Sequence, residues 1–594
     1  MLLPDLPPEI IYTIATHLPT ANAFVCLART CRRLHEIIAS GDWSIFRAFV
    51  KSRFYNIPTP PFWKCAAQAL TSRSRALDRH AVICRFVTFP LNAEQLGGSS
   101  QATRRDNPTH GYRPAIDSYE AWNGSNWHDR REVLAWSAAH ELVLQIRQHG
   151  SQQLQRSFVF NDLEHISSHD DICGLHLLRP EHYAKSQDWE HLVLGRMRGE
   201  LVHLAIALEG QTYELRQKFQ TFGLEIERTD MSDGPESILA AHLSNGTIAL
   251  YSTTTEEPEV QAFARIHADA GNSARYKSSK FLSPTRLAVA TGRLENAIAV
   301  STISQERITL EHSISADFLV PAAFNGLAKR STVTAIAPLT GQNRDSTGNT
   351  FLAAWGDGAV RLHDLRSHKP YEGLYIDIAD QNPVYCIHPY GHDRFVVGAG
   401  GDAVVKIFDL RMPSTYDSST ARRQSFSSRP RTQVTSPAHP SKDLSIFLSL
   451  HPSTARNENV SRYARHRYRG PIYTMSSPSL LSPTIYTGIA GGIVRLDFAS
   501  TDDLTGPNNA WYRDAIDLDL DYNTNTQRSC TSDVIELSGY ERPDSRDTTT
   551  CSKLRSQVPF GAADAQNIAN ELATGWDRRW KPLEAPGAWR RRDF

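Results

Sequence analysis

Seven short stretches of the chain share one design: an alternating apolar run, a tight turn of glycine or polar residues, and a second alternating run. They begin at Leu134, Leu192, Leu239, Leu287, Leu352, Val396 and Tyr486, about 45 to 65 residues apart except for one longer gap before the last. Period-two alternation marks strands, and about 45 residues per unit leaves room for four of them. A lone four-stranded sheet cannot bury both faces, whereas a ring of such sheets packs each face on a neighbour and shields most strand edges. The spacing therefore predicts an all-β propeller over residues 129–502 with about seven blades; six or eight fit the same spacing.

Two units carry more detail. In Gly356-Asp357-Gly358 and Gly400-Gly401-Asp402 the glycines permit positive φ, and Asp357 and Asp402 can accept from nearby backbone amides. Val360 and Leu362, then Val405 and Ile407, alternate as a buried strand should, and the units end on Asp364 and Asp409. These units resemble WD repeats, with Asp357, Gly358, Gly401 and Asp402 as structural turn residues. The pattern is degenerate: His363 and Phe408 stand where the terminal Trp would, and no unit has the usual upstream Gly-His pair.

The N-terminal part has a different period. After Pro7 and Pro8, apolar residues at Ile10, Ile11, Ile14, Ala15 and Leu18 form one helical stripe, ended by Pro19. A second stripe runs through Phe24, Leu27, Ala28, Cys31, Leu34 and Ile38 until Gly41, and a third segment holds Trp43, Phe46 and Phe49. Three short helices have little core of their own, so part of their apolar surface needs a partner. Leu6-Pro7-x-Glu9-Ile10, then Ile14, Leu18, Cys31-Arg32-x-Leu34 and Trp43, match the F-box in order and spacing, so residues 1–50 resemble that all-α module. The resemblance implies a Skp adaptor as partner and, through it, a cullin-RING ubiquitin ligase. It makes Leu6, Pro7, Ile10, Ile14, Leu18, Leu27, Cys31 and Leu34 candidates for the adaptor interface or the small core behind it; periodicity does not sort the two roles. A helical hairpin capping a larger domain would show the same stripes.

Residues 51–128 read as a helical spacer and loop, with Trp63 to Val87 as helix and its arginines, Arg73, Arg75, Arg79 and Arg85, as a solvated face. Residues 413–443, rich in Ser, Thr, Arg and Pro, read as a disordered insertion in which Ser425 and Ser436 suit basic-directed and proline-directed kinases. Residues 503–594 form an irregular C-terminal region. Val534-Ile535-Glu536-Leu537 can supply a closing strand, and the Trp576 to Arg592 tail fits a docked arm better than a nucleic-acid contact.

Lys plus Arg equals Asp plus Glu, 64 each, which removes a global electrostatic case for nucleic acid or an anionic membrane. The start lacks a basic, uninterrupted apolar leader, no apolar run is long enough to span a bilayer, and the eight cysteines show no C-x-x-C pair. A soluble chain of the cytoplasm and/or nucleus is expected, without membrane or nucleic-acid partners. Phosphate-loop, zinc-hydrolase and esterase signatures are missing from the sequence. His165-x-x-x-His169 lies in a polar loop, and Gly398-x-Gly-Gly lacks the helix a dinucleotide site requires. The expectation is a non-catalytic receptor without cofactor or metal that brings an unidentified protein substrate to an SCF-type ligase. The endings Asp364-x-Arg366 and Asp409-x-Arg411 resemble those of cullin-4-type receptors and make Arg366 and Arg411 alternative adaptor contacts. A non-ligase interaction scaffold is the remaining reading.

Overall fold

Each of the seven hairpins forms the second and third strands of its own sheet, and the pairing within each hairpin is antiparallel. The structure, a computed structural model, describes residues 3–582 except for connecting segments, of which the longest are 412–443, 448–470, 519–533, 542–553 and 559–575. Asp402, the insertion with Ser425 and Ser436, the Trp589 end of the tail and the side chain of Trp43 lie outside the described residues.

In chain order the innermost strands are Ile116–Trp122, Ile172–Leu178, Ile226–Met231, Ser279–Ser283, Val333–Pro338, Val384–Tyr390 and Thr474–Ser476. Each touches the next, and the last touches the first, so seven blades close a ring. Between blades the sheets pack through mixed aliphatic and aromatic side chains, such as Leu144, Phe158, Leu175 and Leu194 between blades 1 and 2. At Gly398 of blade 6, an added Cβ would come within 2.6 Å of Ile472 and 2.7 Å of Cys386 Sγ, so only glycine allows that approach.

Ring closure departs from the expected boundaries. Blade 7 takes its fourth strand from Ile83–Val87, which pairs antiparallel with Gly492–Asp497 (Ile83 opposite Asp497, Val87 opposite Ile493). The helix expected up to Val87 therefore stops at Asp78, and Ile116–Trp122, placed by sequence in the spacer, is the inner strand of blade 1. Val534–Ile535 pairs outside Cys84 and Arg85 as a fifth strand, so it does not close the ring. Joining segments from both ends of the propeller in one blade replaces a covalent closure with a ladder of backbone hydrogen bonds.

Among the described residues four α-helices precede the ring: α1 (Pro8–Thr16), α2 (Ala21–Thr30), α3 (Arg32–Arg53) and α4 (Trp63–Asp78). Pro8 occupies the first turn of α1, where its missing N–H costs nothing, and Thr20 caps α2 by accepting from Ala23 N (3.2 Å). The stripe from Phe24 to Ile38 is not one helix, because Cys31 is extended (φ −157°, ψ 164°) and separates α2 from α3. Conversely α3 runs through Gly41, where sequence suggested a stop. A helical glycine costs only about 1 kcal/mol, which the burial of Ile45, Phe46 and Phe49 on the same helix offsets.

α4 joins the two parts into one core. Ala66, Ala67 and Leu70 pack with Phe24, Phe46 and Phe49 on one side and with Trp127 and Leu481 of propeller loops on the other. The four arginines form ties where a solvated face was expected. Arg73 is buried, donates to the carbonyls of Leu480 (2.5 Å) and Ser482 (3.1 Å), and stacks 4.7 Å from the Tyr390 ring. Arg75 pairs with Asp503 and Arg79 with Asp502 (2.7 Å). Arg85 and Arg495 both bind Asp497, at 2.6 and 2.8 Å. The tail adds a strand, Trp580–Pro582, to blade 6, with Trp576 and Trp580 buried and Trp580 Nε1 donating to His80 O (2.7 Å). No helix among the described residues is long and apolar enough to cross a membrane.

Candidate docking surfaces

On α1, spacing of four residues places Ile10 and Ile14 on one face. They are 47% and 39% exposed, while their neighbours Ile11 and Ala15 are fully buried. Pro7 and Leu3 are also exposed, and Leu6 is half-buried beside them. The remaining candidates face the module itself: Leu18 and Leu27 pack partly on its core, Cys31 is half-buried, and Leu34 is buried. The structure thus divides the eight residues that sequence grouped together. Leu6, Pro7, Ile10 and Ile14 form an apolar strip at the surface, and Leu18, Leu27, Cys31 and Leu34 belong to or border the interior.

The family described as F-box-like matches residues 3–48. The first three helices are an F-box-like domain. No curated protein matches the chain. Among solved structures, the chain is similar to Sqt1 from Chaetomium thermophilum at 10% identity, with 62% of this chain and 80% of that one covered and a TM-score of 0.37. The same protein bound to the N-terminus of the ribosomal protein L10 gives 10%, 62%, 81% and 0.36. Sqt1 from Saccharomyces cerevisiae gives 11%, 61%, 80% and 0.34. The chain thus joins an F-box-like domain to a seven-bladed propeller.

The propeller has two unlike faces. α4 and the F-box-like domain meet loops that join first to second strands, through Trp127 in blade 1, Arg394 in blade 6 and Leu481 in blade 7. Because successive strands alternate in direction, turns joining second to third strands lie on the opposite face, which carries none of these helices. Asp357 and Gly358 sit in such a turn. Gly358 has φ +79°, Asp357 accepts from Ala359 N (3.1 Å), and its carboxylate pairs with Arg361 (2.6 Å). Gly401 has φ +86°, and an added Cβ would meet Asn382 Nδ2 at 2.6 Å. His363, in the position of the absent Trp, stacks on Phe351 (5.2 Å) and pairs with Pro370 O through Nδ1 (2.9 Å). Burial pulls its pKa down to about 3, so it stays neutral.

Arg366 and Arg411 end third strands and so lie on the helix side. Arg366 grips Asp364 through Nε (2.9 Å) and Nη2 (2.8 Å), and Arg411 grips Asp409 the same way (2.9 and 2.7 Å) and adds Asp393 (2.7 Å). Both side chains remain more than half exposed.

The central channel was not legible in sequence, because each blade contributes one isolated strand to it. Asp117 of blade 1 favours the Lys280 charge on blade 4, and Lys280 disfavours protonation of His388 on blade 6. Burial opposes the Lys280 charge, but Asp230 at 2.5 Å outweighs it and holds the ammonium above its usual range. Burial brings His176 and His388 down to about 4, so both are neutral near pH 7. Among the described residues no group of three or more His, Cys, Asp or Glu could hold a metal. His169 is instead 3.6 Å from Glu225.

Proposed function

We propose that the chain is a substrate-receptor subunit of an SCF-type ubiquitin ligase, working in the cytoplasm and/or nucleus. The exposed pair Ile10 and Ile14, on a helix whose adjacent residues are fully buried and inside an F-box-like domain, carries the proposal. These side chains, with Leu6 and Pro7, dock the Skp adaptor and through it the cullin-RING ligase. The propeller face without helices holds a protein substrate. The α4 ties hold the docking strip in a fixed orientation to that face, so a bound substrate's lysines are presented at high effective concentration to the conjugating enzyme. The subunit performs no bond chemistry and needs no cofactor.

Affinity purification from native cells tests this. The expected outcome is recovery of the Skp adaptor with the parent chain and its loss with Ile10→Asp plus Ile14→Asp, the melting temperature of the variant staying unchanged. Failure of the parent chain to recover the adaptor sinks the proposal. One observation favours a second reading: Arg366 and Arg411 are accessible on the helix side. Recovery of a propeller-type damage-binding adaptor, abolished by Arg366→Ala plus Arg411→Ala, would establish a cullin-4-type receptor instead. Recovery of neither adaptor would leave an interaction scaffold.

A further inference from the structure

Phe222 combines two properties that rarely coincide. It is 62% exposed, and its backbone lies at φ +59°. Gly223 follows at φ +73°, and Leu224 N donates to Thr221 O (3.2 Å), so residues 221–224 form a turn whose two central residues are both left-handed. Asn, Asp and Gly fit the first of those positions without strain, and a phenylalanine does not. No burial offsets that strain here, and strain kept without a packing return concentrates at binding sites.

The turn lies where blade 2 passes to the inner strand of blade 3, on the face opposite the helices. It is fastened to the neighbouring turn of blade 2: Thr221 Oγ1 donates to Gly199 O (2.6 Å), and Ile226 N to Met197 O (3.0 Å). Met197 is itself 40% exposed. On the other side, the Arg265 guanidinium of blade 3 stands 5.0 Å from the Phe222 ring. Among the described residues Arg265 has no carboxylate at ion-pair distance. An exposed aromatic side chain therefore adjoins a cation that no described carboxylate pairs, and the loop carrying the exposed Met197 is braced to the same turn.

We propose that this rim between blades 2 and 3 docks an extended segment of a protein partner that carries an apolar side chain next to Asp or Glu. The apolar group covers Phe222 and Met197, and the carboxylate pairs with Arg265. A basic segment would meet like charge at the same point. The proposal rests on reading the propeller as a receptor, and it adds the chemistry of what the receptor takes.

The test uses purified full-length chain and short fluorescein-labelled peptides with a Leu-Trp centre flanked by Asp and Glu, by Lys and Arg, or by Ser and Gly, followed by anisotropy. The acidic peptide should bind at least about tenfold more tightly than the basic one. Phe222→Gly should weaken it about tenfold while leaving or raising the melting temperature, since glycine adopts the turn without strain. Arg265→Glu should abolish the preference for acidic flanks. No binding of any peptide, unchanged binding by Phe222→Gly, or an unchanged charge preference in Arg265→Glu would overturn the proposal. Skp-adaptor recovery by the same proteins should be indifferent to Phe222→Gly. Adaptor loss in the parent chain would refute the ligase reading while peptide binding still judges this site.

Discussion

α1 and α4 are amphipathic helices that share one hydrophobic core, yet they treat their side chains in opposite ways. α1 leaves Ile10 and Ile14, which cost little to bury, in solvent. α4 takes Arg73, which costs much to bury, into the interior and satisfies it with two carbonyls and an aromatic face. The contrast separates attachment within the chain from attachment to something else. A buried cation with every partner supplied internally marks a finished joint, whereas an apolar strip outside an already complete core marks a joint whose other half is a separate molecule.

The largest effect should come from the finished side. Asp497 is wholly buried and accepts from Arg85, Arg495 and Thr484 across the strand that closes the ring. Asp497→Ala would strand two guanidinium groups, and a loss of about 3–5 kcal/mol is expected in denaturant unfolding. Burial opposes the Asp497 charge, but its arginine partners outweigh burial and hold its pKa below the usual value. A depressed folded pKa means stability that is present above about pH 4, the unfolded carboxylate value, and lost as acid titrates the folded group below it. The Asp497→Asn variant should therefore show a flatter acid limb than the parent.

Next, Arg73→Met keeps the volume of the α4 tie but removes the donor to the Leu480 carbonyl and leaves the Ser482 carbonyl with the Tyr390 hydroxyl alone. It should cost roughly 2–4 kcal/mol and loosen the F-box-like domain, read as faster hydrogen exchange in α4. The third comparison lies within α1. Ile11→Ala should destabilise by about 2–4 kcal/mol because it opens a cavity. The Ile10→Asp plus Ile14→Asp pair should stay within about 0.5 kcal/mol of the parent while losing the adaptor. Equal destabilisation by both would erase the distinction between core and docking strip. The smallest effect belongs to Arg366→Ala and Arg411→Ala, whose side chains are more than half exposed and, for Arg411, leave Asp409 still paired with Arg394; each should cost at most about 1 kcal/mol, and thermal melts of both variants close to the parent would confirm it.

Much of the surface strip was legible early because the F-box pattern is local: Leu6, Pro7, Ile10 and Ile14 fall within two helical turns and a preceding bend. What the pattern could not do was separate Ile10 from Leu34, since both lie on an apolar stripe and only packing decides which stripe is covered. The arginines of α4 misled for a related reason. Charge on a helix usually faces water, and nothing near Arg73 in sequence announces Leu480, Ser482 or Tyr390, more than three hundred residues away.

The sequence by itself determined seven hairpins, because a hairpin is specified by alternation and by a turn such as Gly356-Asp357-Gly358, all within a few residues. It also determined an F-box-like beginning. Only the tertiary structure decided how the ring closes, that Ile83–Val87 is a strand of the last blade, and which isoleucines remain outside. Those outcomes depend on partners distant in the chain, and backbone pairing carries no local mark of the partner it will find. A five-residue segment like Ile83–Val87 suits a helix or a strand equally until the edge left open by Gly492–Asp497 makes strand the lower-energy choice.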